Sequence, residues 1–87
     1  MDNYTVKTLS QFDLEYSDDK YTIKIGVDDL REPVPHIIIF EVFNKEENKL
    51  EKLSKEVKLK ILKRICAYLK SEGYKKIYTE EFGYIDV

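Results

Sequence analysis

The chain has 87 residues, of which 43% are hydrophobic and 37% charged, a length that holds one domain and a balance that excludes the low-hydrophobicity composition of disorder. Its one cysteine, Cys66, excludes an internal disulfide, and with it the bridged scaffolds of small secreted proteins. Formal net charge is −2, yet residues 1–48 carry 11 acids against 5 bases and residues 49–87 carry 6 against 10, so an acidic half and a basic half are both available to partners.

The opening Met1-Asp2-Asn3-Tyr4 lacks the basic stretch and apolar run of a secretory signal. No apolar run nears the roughly 20 residues that span a bilayer, so a cytoplasmic protein is expected. Lysine outnumbers arginine 13 to 2, which suggests low-GC coding and a bacterial or phage source.

From Tyr4 to Tyr16 the even positions Tyr4, Val6, Phe12, Leu14 and Tyr16 alternate with a mostly polar odd set, the period of a strand. The alternation resumes at Tyr21, Ile23, Ile25 and Val27. A turn centred on Asp18-Asp19 then predicts a hairpin with Tyr16 opposite Tyr21, Leu14 opposite Ile23 and Phe12 opposite Ile25. The same register sets Asp13 against Lys24 on the other face, an opposite-charge pair that agrees with the apolar one. Asp28 to Pro35 holds two prolines and four charges and reads as a loop. His36 to Phe43 is apolar on both faces, the pattern of an interior strand: Ile38, Phe40 and Val42 on one, Ile37, Ile39 and Phe43 on the other.

Helical spacing follows, with Leu50, Leu53, Val57, Ile61, Ile65, Tyr68 and Leu69 on one stripe and Lys52, Glu56, Lys60, Lys63 and Lys70 opposite. Two starts compete. Asn48 with Glu51 forms a capping box for a long helix, the start favoured here, whereas Ser54 would cap a shorter one after an extended segment. Gly73 supplies the left-handed residue that ends the helix, with Tyr74 packing back on Leu69. Lys75 to Thr79 is then a strand parallel to His36–Phe43 in the order 1-2-3-4, and Glu80 to Val87 is a last short strand or an ordered tail. The expectation is a single α+β domain over residues 1–87: a mainly antiparallel β-β-β-α-β sheet with one long amphipathic helix on one face.

No motif supplies chemistry outright. Cys66 and His36 are the one nucleophile and base pair available, and a packed thiol with a loop-edge imidazole explains them as well. Asp28, Asp29, Glu32 and His36 are the densest set of metal-ligating types, but lack the spacing of a calcium loop and offer one histidine for zinc, so no metal or other cofactor is expected. None of the three glycines forms a phosphate loop, and Gly26, inside an alternating strand, marks a bulge or a close approach of backbone.

One helix covers one sheet face, which leaves Ile37, Ile39 and Phe43 without cover unless residues 1–9 or the tail from Phe82 fold across them. A non-enzymatic protein-binding module is therefore expected, in the manner of a small bacterial or phage inhibitor or immunity protein, or one that binds a second copy of itself. Ile37, Ile39 and Phe43 would make the contact, with Asp28, Asp29 and Glu32 at its polar rim. The alternative is a nucleic-acid-binding module using Lys52, Lys60, Lys63 and Lys70, which would hold phosphates without reading bases.

Overall fold

The computed structural model describes residues 3–87; Met1 and Asp2, the start of the segment read for a secretory signal, lie outside the described residues. In chain order the elements are β1 (Tyr4–Ser10), β2 (Asp13–Asp18), β3 (Tyr21–Val27), β4 (His36–Asn44), β5 (Lys49–Glu51), α1 (Lys55–Ser71), β6 (Lys76–Thr79) and β7 (Gly83–Asp86). The strands form one seven-stranded sheet in the order β1-β2-β3-β4-β6-β7, with β5 beside the last residues of β4. As the sequence predicts, β6 runs parallel to β4; every other pairing is antiparallel.

The single strand predicted from Tyr4 to Tyr16 is two. A turn at Gln11-Phe12 separates β1 from β2. There Ser10 Oγ donates to Asp13 Oδ1 at 2.7 Å and accepts from the Phe12 N–H at 3.0 Å, a serine side chain stabilising a local bend over continued strand. Phe12, expected opposite Ile25, is consequently 51% exposed.

The β2–β3 hairpin forms, but not in the expected register. Asp18 Oδ1 accepts from the backbone N–H of Lys20 at 2.8 Å and of Tyr21 at 2.7 Å, which centres the turn on Asp19-Lys20 instead of Asp18-Asp19. Moving the centre by one residue moves the register by two: Tyr16 lies opposite Ile23, Leu14 opposite Ile25 and Glu15 opposite Lys24. The expected pairs of Tyr16 with Tyr21, Leu14 with Ile23, Phe12 with Ile25 and Asp13 with Lys24 are not made. A shift of two keeps every side chain on its face, so Leu14 and Ile23 are still both fully buried.

On β4 the expected division into two apolar faces is broken by a bulge. Ile39 pairs with Gly26 but Ile37 pairs with Val27, so the register shifts at this point. The shift turns Ile37 inward onto the core, while Ile38 becomes 67% exposed. Gly26 has the close neighbour its position predicts: a Cβ built there would lie 3.0 Å from Ile39 Cβ. The Ile39 side chain fills the space that glycine leaves open.

The helix takes the shorter of the two starts. Ser54 Oγ accepts from the Val57 N–H at 3.3 Å as the N-cap. Asn48, expected to cap a longer helix, instead takes a left-handed conformation (φ 56°) in the turn that brings Lys49–Glu51 back beside β4 as β5. Leu50 is thereby a strand residue, 63% exposed. At the other end Gly73 has φ 96°; the Tyr74 N–H bonds the Leu69 carbonyl and the Gly73 N–H that of Lys70, each at 3.1 Å, which is the Schellman closure of a helix. Nothing crowds a Cβ at this site, so backbone conformation alone opposes a side chain. Gly73→Ala is expected to destabilise the protein by about 1 kcal/mol in chemical denaturation.

One apolar cluster lies between the helix and one sheet face, joining Ile61, Leu62, Ile65, Cys66 and Leu69 of α1 to Leu14, Tyr16, Ile23, Ile25, Val42 and Ile77 of the sheet. Leu30, from the loop between β3 and β4, joins it. The Tyr74 hydroxyl donates to the Leu30 carbonyl and ties that loop to the end of the helix. No helix among the described residues is long and apolar enough to cross a membrane.

Candidate functional site

The sheet face turned away from α1 is built by the residues that alternate with the core. Across its middle the register aligns Lys7, Glu15, Lys24 and Glu41 on four successive strands. The side chains of Lys7 and Glu15 approach to 3.5 Å. Opposite-charge neighbours of this kind each contribute a few tenths of a kcal/mol to about 1 kcal/mol. On one side of this charged row lie Thr5, Ser17, Thr22, Phe43 and Leu50, directly aligned; on the other lie Ser10, Asp13, Gly26 and Ile39.

Beyond Ile39 the face continues as an aromatic row. His36 pairs with Tyr78 and Tyr78 with Tyr84. The His36 and Tyr78 rings are 4.9 Å apart, and the Tyr78 and Tyr84 rings 5.0 Å apart and edge-on. Alternation fixes their side, because the neighbouring Ile77 is fully buried and Ile85, its partner, packs against the core. Tyr84 is 66% exposed.

Of the residues singled out for partner contact, Ile39 lies on this face 49% exposed and Phe43 lies half-buried on it. Ile37 packs against the core instead. Asp28, Asp29 and Glu32 lie in the adjoining loop, where two of the three carboxylates organise their own backbone. Asp28 Oδ1 accepts from the N–H of His36 at 2.8 Å and of Asp29 at 2.7 Å; the bond from His36 foremost holds its carboxyl below the ordinary value. Asp29 takes a forked contact from Arg31, whose Nη2 donates to Oδ2 at 2.8 Å and Nε to Oδ1 at 3.1 Å, and this lowers its pKa. Glu32 is exposed.

The face also carries side chains that the sequence pattern did not single out. Leu50 is exposed there only because β5 replaces the expected first helical turn, and Tyr84 because the last residues form a strand; Ile38, exposed at the bulge, lines a hollow with Phe40, Lys58 and Leu62. The parity of Tyr78 and Tyr84 around the turn at residues 80–82 is the signal that points to the aromatic row.

Lys60, Lys63 and Lys70 are exposed on the outward side of α1, and Lys52 is exposed ahead of it. No aromatic ring accompanies them on that stripe, which runs through Glu56, Lys60, Lys63, Ala67 and Lys70. Cys66 is 4% exposed within the core, and burial pushes its thiol up to about 11. His36 lies exposed on the opposite side of the sheet, so the two do not form a nucleophile and base pair. Among the described residues no three His, Cys, Asp or Glu side chains gather as a metal set.

Several clefts open on the helix side. A space of about 650 Å³ lies between the loop at Leu30–Val34 and the segment Glu72–Lys76, walled by Leu30, Pro33, Val34 and Tyr74. A smaller one, about 190 Å³, lies beside the β2–β3 turn and is lined by Lys20, Tyr21, Ile61 and Arg64. At its base Tyr16 donates to Asp18 Oδ2 at 2.6 Å and accepts from Arg64 Nη1 at 2.7 Å. This polar group completes the turn and the packing of α1. Neither cleft brings a nucleophile to a base.

The chain matches no protein-family model, no curated protein and no solved structure.

Proposed function

We propose that this chain is a non-enzymatic protein-binding module of the inhibitor or immunity type, which presents the helix-free face of its sheet to a partner protein. The observation that carries this reading is the exposure of large apolar side chains there: Tyr84 at 66%, Leu50 at 63% and Ile39 at 49%. Small proteins leave such groups together in water where another surface covers them, and tyrosine and aliphatic anchors beside charged side chains are the make-up of a contact surface. Ile39 and Phe43 are the central anchors, and Asp28, Asp29 and Glu32 are rim groups beside the His36 end.

Wild type, Ile39→Asp, Phe43→Ala and Lys63→Glu, used as matched baits on extract of the cells that express the protein, test this. A protein retained by wild type and Lys63→Glu, lost on Ile39→Asp and reduced on Phe43→Ala, is the expected result. With that protein purified, Phe43→Ala should weaken binding by more than about 1 kcal/mol while its melting temperature stays close to that of wild type. Equal retention by all four baits, or loss on Lys63→Glu alone, would overturn the reading.

The exposure of Lys60, Lys63 and Lys70 along one helical stripe favours a second reading, a nucleic-acid-binding module to which Lys52 also contributes. Binding of that kind must weaken steeply between about 50 and 200 mM salt, the logarithm of the binding constant falling linearly with the logarithm of salt concentration, because counterion release drives it. Salt-insensitive or absent binding to single-stranded and duplex DNA and RNA excludes it.

A further inference from the structure

We infer that the partner for the helix-free face is a second copy of this chain, docked sheet on sheet about a two-fold axis that runs parallel to the strands between β2 and β3. The inference rests on the reading that this face is the contact surface, and the charged row supplies the orientation. Lys7, Glu15, Lys24 and Glu41 occupy consecutive strands at one level, so charge alternates plus, minus, plus, minus across the sheet.

Two face-to-face arrangements about an in-plane two-fold are open to such a row. An axis along the row sets each residue against its own copy, four like-charge contacts. An axis along the strands reverses the row, so Lys7 meets Glu41 of the other copy and Glu15 meets its Lys24, and all four contacts become attractive. The pattern is self-complementary in that one arrangement alone.

No flanking level opposes it. Reversal sets Ser10 against Ile39 of the second copy, which is 49% exposed. It sets Asp13 against Gly26, where there is no side chain to meet, and Thr5 against Phe43. Neither flanking level places like charges together. Strands of the two sheets then run in nearly the same direction, the aligned packing that sheet twist favours.

Charge reversal with exchange tests this on the full chain. Sedimentation equilibrium of wild type should show a dimer. Lys24→Glu alone replaces the ammonium group facing Glu15 of the second copy with a carboxylate, and Glu15→Lys alone replaces the carboxylate facing Lys24 with an ammonium group. Each sets like charges together and should weaken self-association at least tenfold. Mixed one to one, the two variants should form a heterodimer, because position 15 of each then faces position 24 of the other with opposite charge at both contacts; the chain carrying both substitutions likewise restores opposite charge at every facing pair. That double variant should dimerise by itself with an affinity close to that of wild type. Thermal melting of each variant separates loss of association from loss of fold, and recovery in the mixture cannot come from the Glu15–Lys24 cross-strand pair within one chain, which stays like-charged in both variants. A wild-type chain that stays monomeric at millimolar concentration would overturn the inference, and so would a dimer indifferent to both single reversals, or a double variant no better than the singles. Each of these results leaves the matched-bait experiment to decide separately whether the face binds another protein.

Discussion

Leu14→Ala is expected to destabilise the protein by about 2–5 kcal/mol, whereas Phe12→Ala, two residues earlier on the same alternation, should cost less than about 1 kcal/mol. Leu14 is fully buried and packs in the cluster between the central strands and α1. Its truncation removes transfer energy and leaves a cavity that the strands on either side cannot close. Phe12 stands 51% exposed in the β1–β2 turn, where a smaller side chain leaves no void. A domain of this length has about 4–13 kcal/mol of total stability at roughly 0.05–0.15 kcal/mol per residue, so the first substitution approaches global unfolding and the second does not. Urea denaturation of both variants with unchanged slope measures the difference. Equal losses would mean that Phe12 is part of the core after all.

That contrast shows what periodicity carries and where it stops. Alternation fixes which face a side chain takes, so Leu14, Tyr16, Ile23 and Ile25 are legible as core from the sequence and remain core although their pairing partners differ from the expected ones. Where a strand stops is decided by single polar side chains. Ser10 ends β1 by accepting the Phe12 N–H, Asp18 sets the centre of the next turn, and Asn48 turns the chain into β5 by adopting φ 56°. Serine, aspartate and asparagine take such roles in some contexts and stand as ordinary surface residues in others, so composition alone does not place them. The helix end at Gly73 was legible because glycine has one strong reason to stand there. The candidate face was legible in outline through Ile39 and Phe43. Its extent was not, because the bulge at Ile38 turns Ile37 onto the core, and because Leu50 fits a helical stripe as well as a strand.

Asp18→Ala is the second substitution with a large expected effect, about 2–4 kcal/mol, because one carboxylate serves both the turn and the core. Oδ1 holds the two backbone N–H groups that centre the β2–β3 turn, and Oδ2 accepts from Tyr16 and lies 3.8 Å from Arg64 Nη1. The Asp18 and Arg64 side chains are 13% and 17% exposed, so removing the acid takes a facing anion from a largely buried guanidinium. Asp18→Asn should lose less, since an amide oxygen still accepts from Lys20 and Tyr21. The two variants also divide on pH. Burial raises the Asp18 pKa, but the Tyr16 hydroxyl, the N–H groups of Tyr21 and Lys20 and the charge of Arg64 together outweigh it and hold the carboxyl below its ordinary value. Tyr16, pushed up to about 12 chiefly by burial, stays a donor throughout. A carboxyl whose pKa is lower folded than unfolded binds its proton more readily in the unfolded chain. Its contribution is complete above the unfolded value near about pH 4 and is lost as pH falls through the folded one. Glu51, lowered by bonds from Asn44 and Tyr21, acts in the same direction. Melting temperature should therefore drop from about pH 4 downward, and the drop should be shallower, though not absent, in Asp18→Asn. An Asp18→Asn acid limb as steep as that of wild type would show that this carboxylate is not held by its partners in the folded chain.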